Sequence, residues 1–128
     1  MKTIFTNQAP APLGHYSQAI AHNGLIYVAG QLPLTVQDPS SAKGSIEEQT
    51  ELTLKNLEAI LLAAGSDKNH VLKVTIFITD ISLWAKANEV YGRFFGDHKP
   101  ARSAVPVKEL PRNCLIEIEA IAAQPILI

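Results

Sequence analysis

The sequence predicts an α+β fold: a single mixed β-sheet with two helices packed on one face, in the order β-β-β-α-β-α-β-β. Three observations predict it. Asn23-Gly24 lies between two extended runs and supplies the positive φ angles of a tight hairpin. Two stretches with apolar residues at helical spacing each follow a strand and close on a glycine, Gly65 and Gly96. The run Leu115 to Ala123 alternates, with Ile116, Ile118, Ala120 and Ala122 on one face.

Residues 2–14 read as a short strand and then a loop, because Pro10 and Pro12 remove ladder donors. Tyr16 to His22 is extended. Leu25-Ile26-Tyr27-Val28-Ala29 is a continuous apolar run, which predicts a strand covered on both faces and ending at Gly30-Gln31-Leu32-Pro33. Thr35 to Gly44 is a Pro-, Ser- and Gly-containing loop. Ser45-Ile46-Glu47-Glu48 fits a capping box, and Leu54, Leu57, Ile60, Leu61 and Ala64 follow as one helical stripe.

In the strand Val71 to Thr79, alternation puts Leu72, Val74, Ile76 and Ile78 on one face, with Lys73 and Thr75 opposite. Asp80 or Ser82 caps the second helix. Leu83, Ala87, Val90 and Phe94 line that helix, with Trp84, Tyr91 and Phe95 beside them as core. Arg102 to Val107 is a strand whose Pro106 suits an edge or a strand end. Leu110 to Asn113 is a turn. One sheet face is left without helices. It carries Lys73, Thr75, Glu117 and Glu119 among Leu115, Phe77 and Ile121, and the apolar members point to an oligomer.

Composition narrows the function. The 128 residues, 47% of them hydrophobic, suit one domain spanning 1–128. A formal net charge of −1 argues against a nucleic-acid partner. The single cysteine, Cys114, excludes an internal disulfide, suits a reducing cytoplasm, and reads as a small residue at a strand entrance. There is no apolar leader at the N-terminus and no run long enough to span a bilayer. His15, His22, His70 and His98 lack metal-ligand spacing and read as surface or loop residues. Lys73 reads as an ion-pair partner.

Arg102 and Glu117 carry the chemistry. A guanidinium presents a rigid fork of donors that matches a carboxylate, and a glutamate can hold and activate a water. On adjacent strands they would form a small site that grips an acid and directs water at it. Pattern alone does not separate Glu117 from Glu119.

Gly14-His15-Tyr16-Ser17-Gln18-Ala19, Ala29-Gly30-Gln31-Leu32-Pro33, and Lys99-Pro100-Ala101-Arg102-Ser103 followed by Ile116-Glu117-Ile118-Glu119-Ala120 resemble the Rid family, also called YjgF. The resemblance spans about residues 3–123 and is strongest to the RidA-type enamine/imine deaminases. It implies a chorismate-mutase-like fold and a homotrimer whose sheets pack into a central barrel, with sites in the clefts between subunits. It implies hydrolysis of 2-imino or 2-enamino acids to 2-keto acids and ammonia, a detoxification of reactive intermediates, with no metal and no cofactor. Arg102 then matches the carboxylate clamp and Glu117 the residue that holds water. The backbone of Gly30, Tyr16 at the pocket mouth and Asn88 on the second helix match substrate-binding positions. Ala29 stands where the family often has Ser, Ala104 where it often has Cys, and His15 where Pro is usual. The missing serine hydroxyl keeps a second reading open: a non-catalytic protein that binds small carboxylates in a regulatory role. Translation-inhibitor or endoribonuclease-like activity, linked to some members, is a third, against which the charge balance counts.

Overall fold

A computed structural model of the chain describes residues 1–125. Six strands form one mixed sheet: β1 (Lys2–Ile4), β2 (Ala19–His22), β3 (Leu25–Gln31), β4 (Val71–Ile78), β5 (Ala101–Pro106) and β6 (Ile116–Ala123). Their spatial order is β1-β2-β3-β6-β4-β5. All neighbours are antiparallel except β4 and β5. Two helices, α1 (Ile46–Ala63) and α2 (Trp84–Phe95), complete the α+β architecture.

The local signals act as expected at most joints. Asn23 and Gly24 take φ of 50° and 78°, and β2 and β3 pair across them from His22–Leu25 to Ala19–Val28. Ser45 Oγ accepts from the Glu48 N–H at 3.1 Å while Glu48 Oε1 accepts from the Ser45 N–H at 3.1 Å. This closes the capping box and satisfies two donors that a helix start leaves free. The α1 stripe Leu54, Leu57, Ile60 and Leu61 is fully buried against the sheet, each side chain contributing about 1.5–3 kcal/mol. From the sheet, Ile26, Val74, Ile76, Ile78, Ile116 and Ile118 meet it.

Two elements differ from the sequence reading. Leu72 is 48% exposed, and Val71 takes its place in the core. The ladder between β4 and β6 shifts register between Val71 and Lys73, and this irregularity reverses the alternation at its start. At the second helix, Asp80 caps a 3₁₀ turn, Ile81–Leu83, by accepting from the Ser82 N–H at 2.9 Å; α2 itself begins at Trp84 with Leu83 as an N-cap lacking a side-chain bond. Gly96 ends α2 with φ of 64°, as expected.

Buried polar side chains tie the loops to this frame. Gln18 receives the Thr6 N–H at 2.8 Å and donates to Thr6 O and Pro10 O, fastening the N-terminal loop over β2. Asn56 donates to Leu32 O at 3.0 Å and Leu34 O at 2.9 Å, which holds the chain just after β3. Neither residue stands out by pattern. Each is explained by the rule that buried backbone groups need partners.

The helix-free face is mixed. Cross-strand rows run Tyr27–Ile121–Lys73, then Glu119–Thr75–Ser103, then Glu117–Phe77–Val105. Tyr27 is 45% exposed, so β3 is covered on one face only within the protomer. Lys73 donates to Ser103 Oγ at 3.2 Å instead of pairing with a carboxylate. Among the described residues the ion pairs are Lys43–Asp38, His70–Asp67 and Arg93–Glu89.

Candidate functional site

Glu117 lies on the helix-free face, opposite Phe77 of β4. Its carboxylate rests against the backbone of Gly30 in β3. A Cβ at residue 30 would collide with Glu117 Oε2 and stand 2.8 Å from Cδ. Glycine permits the close approach, since the space of one methyl group is filled by the glutamate. The ladder between β3 and β6 breaks register between Val28 and Gln31, an irregularity that frames Ala29 and Gly30 beside this carboxylate. Ala29 is held by its N–H to Gln18 O at 2.9 Å and by Gln31 Nε2 on its carbonyl at 3.1 Å.

Burial, and then the neighbouring Glu119, raise the Glu117 carboxyl above the ordinary glutamate range. Both effects oppose the charged form. Glu119 itself is exposed. A half-buried carboxyl with a raised pKa is a better proton acceptor at neutral pH than a free glutamate. Tyr16 and Gly30 line one shallow recess with Pro10, Leu13, Gln18 and Leu32. Tyr16 Oη accepts from the Leu13 N–H at 3.1 Å, so the ring is anchored by its own loop.

Arg102 lies elsewhere. In the parallel β4–β5 pair it stands opposite Val74, whose side chain is buried under the helices. The guanidinium accordingly turns to α2. Its Nη1 donates to Asn88 Oδ1 at 2.8 Å, and its Cζ lies 4.9 Å from the Trp84 ring centre and 4.8 Å from that of Tyr91. Asn88, Tyr91 and Arg102 line an open groove with Lys99 and Pro100.

The predicted residues thus fall in two places. Ala29 and Gly30 lie beside Glu117, and Tyr16 shares a recess with Gly30; Arg102 and Asn88 lie together at α2. The expectation that Arg102 and Glu117 face each other from adjacent strands does not hold within the protomer. β4 lies between β5 and β6, and the two side chains leave the sheet on opposite faces.

A family model described as Endoribonuclease L-PSP matches residues 6–124. The chain belongs to this family, also called YjgF or Rid. This Rid chain is 50% identical over 121 residues to a RutC family protein of Pyrococcus abyssi, covering 94% of this chain and 95% of that one. It is 44% identical over 126 residues to a 2-iminobutanoate/2-iminopropanoate deaminase of Mus musculus, covering 96% of this chain and 91% of that one. The crystal structure of E. coli TdcF with bound serine aligns at a TM-score of 0.92 with 38% identity, over 98% of this chain and 100% of that one.

Other residues fall in place in the Rid frame. Cys114 is buried at the entrance to β6, and burial pushes its thiol up to about 11, which removes it as a nucleophile at neutral pH. Among the described residues no cluster of His, Cys, Asp and Glu could hold a metal ion, and no helix is long and apolar enough to cross a membrane. Trp84 and Tyr91 were assigned to core by pattern. Tyr91 is buried, but both rings also face Arg102. Their spacing with Asn88, at i, i+4 and i+7 of one helix, was the signal available in the sequence.

Proposed function

We propose that this Rid chain, read as one domain over residues 1–128, is an imine/enamine deaminase acting as a homotrimer on small 2-imino acids. The observation that carries this reading is the separation of Arg102 from Glu117 on opposite faces of one sheet. Read as a carboxylate clamp and a water-holding group, they are two half-sites. Each is completed only by another copy. The helix-free face, with Tyr27 and Phe77 among charged residues, gives the surface on which copies would pack. The deaminase name of the mouse relative agrees with this chemistry.

Arg102 of one protomer grips the substrate carboxylate through charge-assisted hydrogen bonds. That places C2 of the imine against the Gly30–Glu117 half-site of the neighbour. Binding makes the water's attack effectively intramolecular. Glu117 accepts a proton as the water oxygen bonds to C2 of the protonated imine, giving a neutral carbinolamine. The same carboxyl returns that proton to nitrogen. The C–N bond then breaks, and the departing ammonia takes the hydroxyl proton, leaving the 2-keto acid and ammonium. One water is consumed per C=N bond, and no electron transfer is needed.

The test generates 2-iminobutanoate with a threonine dehydratase and traps it with semicarbazide. The chain should speed keto acid release at the expense of the semicarbazone, and Arg102→Ala should abolish the effect. No acceleration by a correctly folded trimer overturns the reading. Retention of a keto acid without turnover would support the carboxylate-binding alternative, for which Ala29 gives a reason. A sedimentation mass of about 42 kDa, three times 13.9 kDa, is expected.

A further inference from the structure

Three side chains of α2 contact the exposed Arg102 guanidinium before any ligand arrives. Trp84 and Tyr91 each present a ring within about 5 Å of its Cζ, and Asn88 takes one N–H. The three residues stand at i, i+4 and i+7, one above another on α2. A guanidinium carries five N–H donors and no acceptor. Asn88 takes one of them at 2.8 Å, and the rest of the fork is left for a ligand.

Core packing alone does not explain this stack. Ala87, Val90, Tyr91 and Phe95 bury the inner face of α2, whereas Trp84 is only half-buried and Asn88 is exposed. Tyr91 is buried, yet its hydroxyl has no hydrogen-bond partner. Burial pushes that hydroxyl up to about 12 against the opposing pull of Arg102. The neutral ring lies 4.8 Å from the Arg102 Cζ and attracts the cation through its electron-rich face. A long arginine otherwise surrenders rotamer freedom on each binding event. Prior immobilisation removes that cost from the ligand's affinity.

We infer that Trp84 and Tyr91, with Asn88 between them, are positioning residues that hold the Arg102 guanidinium in a fixed plane for a small carboxylate. This rests on the clamp role proposed for Arg102. Two measurements test it. The first is the NMR position of the Arg102 Nε–H proton, which stacked rings move upfield of the free-arginine value. The second is binding of 2-ketobutanoate beside its neutral amide, which a carboxylate clamp does not grip. Trp84→Leu should return the proton toward the free value and weaken 2-ketobutanoate about threefold, the equivalent of about 0.7 kcal/mol. Amide binding should stay as in the parent, and Trp84→Phe should restore both readouts. Equal loss of acid and amide, or an unmoved proton with full affinity in Trp84→Leu, overturns the inference. Should Trp84→Leu fail to fold, a parent proton already at the free-arginine position overturns it, and an upfield one upholds the stack. If Arg102→Ala abolishes acid binding while Trp84→Leu leaves it intact, this inference fails and the clamp stands. If the parent chain does not bind the acid and Arg102→Ala changes nothing, both fall.

Discussion

Gly30→Ala should separate stability from activity. The added Cβ would meet Glu117 Oε2 and lie 2.8 Å from Cδ. Ordinary carbon–carbon contact is about 3.5 Å or more, so Cδ must retreat by about 0.7 Å and the oxygen by more. What it strikes is the far end of a flexible side chain on the helix-free face. The backbone at residue 30 does not need the left-handed region, since Gly30 is absent from the positive-φ glycines. Glu117 can therefore swing away at a cost of about 1 kcal/mol, the scale of one off-rotamer side chain. That same swing takes the carboxylate off the position from which it would direct water, and a displacement near 1 Å costs about 10²-fold in rate. Thermal unfolding and the semicarbazide-trapped imine assay on the same preparation give both numbers. The expected result is a small fall in melting temperature with about a hundredfold fall in kcat. A full-rate Gly30→Ala enzyme would refute the role assigned to Glu117. A collapse of stability by several kcal/mol would refute the claim that the side chain alone absorbs the clash.

Other outcomes follow from the same geometry. The folded chain binds a proton at Glu117 more tightly than the unfolded chain, because its pKa is raised in the fold. Stability contributed by that proton is present at acid pH and is lost as pH rises from the ordinary glutamate range through the raised value. Glu117→Gln should therefore raise the melting temperature at pH 7 and lose that advantage near pH 4, while activity disappears; melting curves across pH check it. On the proposed function, imine hydrolysis by the parent should climb with pH through the Glu117 titration, along a limb placed above that of a free glutamate. Arg102→Lys should keep the charge and still lose most substrate affinity, about 10–100-fold in KM, because a point charge cannot replace the planar fork. Leu57→Ala, at a fully buried position of α1, should cost about 2–5 kcal/mol in denaturant unfolding with the site chemistry unchanged in what remains folded.

What could be read without coordinates was whatever short-range chemistry dictates. The Asn23-Gly24 turn, the Ser45–Glu48 capping box, the α1 stripe and the alternation of β6 each depend on residues within a single turn, helix or strand. A capping hydroxyl, a positive φ and a period of two or 3.6 act locally, so the pattern suffices. The family motifs also picked out Tyr16, Ala29, Gly30, Asn88, Arg102 and Glu117. Tertiary structure decided the rest, because strand order and register are long-range choices. Inserting β4 between β5 and β6 separates Arg102 from Glu117, and side-chain parity in each strand sends them to opposite faces. A single register shift exchanges Val71 for Leu72 in the core, an outcome invisible to alternation alone. The fit of Glu117 into the space of a missing Cβ, and the two rings flanking Arg102, arise from contacts 87 residues apart in one case and at most 18 in the other. Composition carries no trace of them, since each is made by the packing of one element on another.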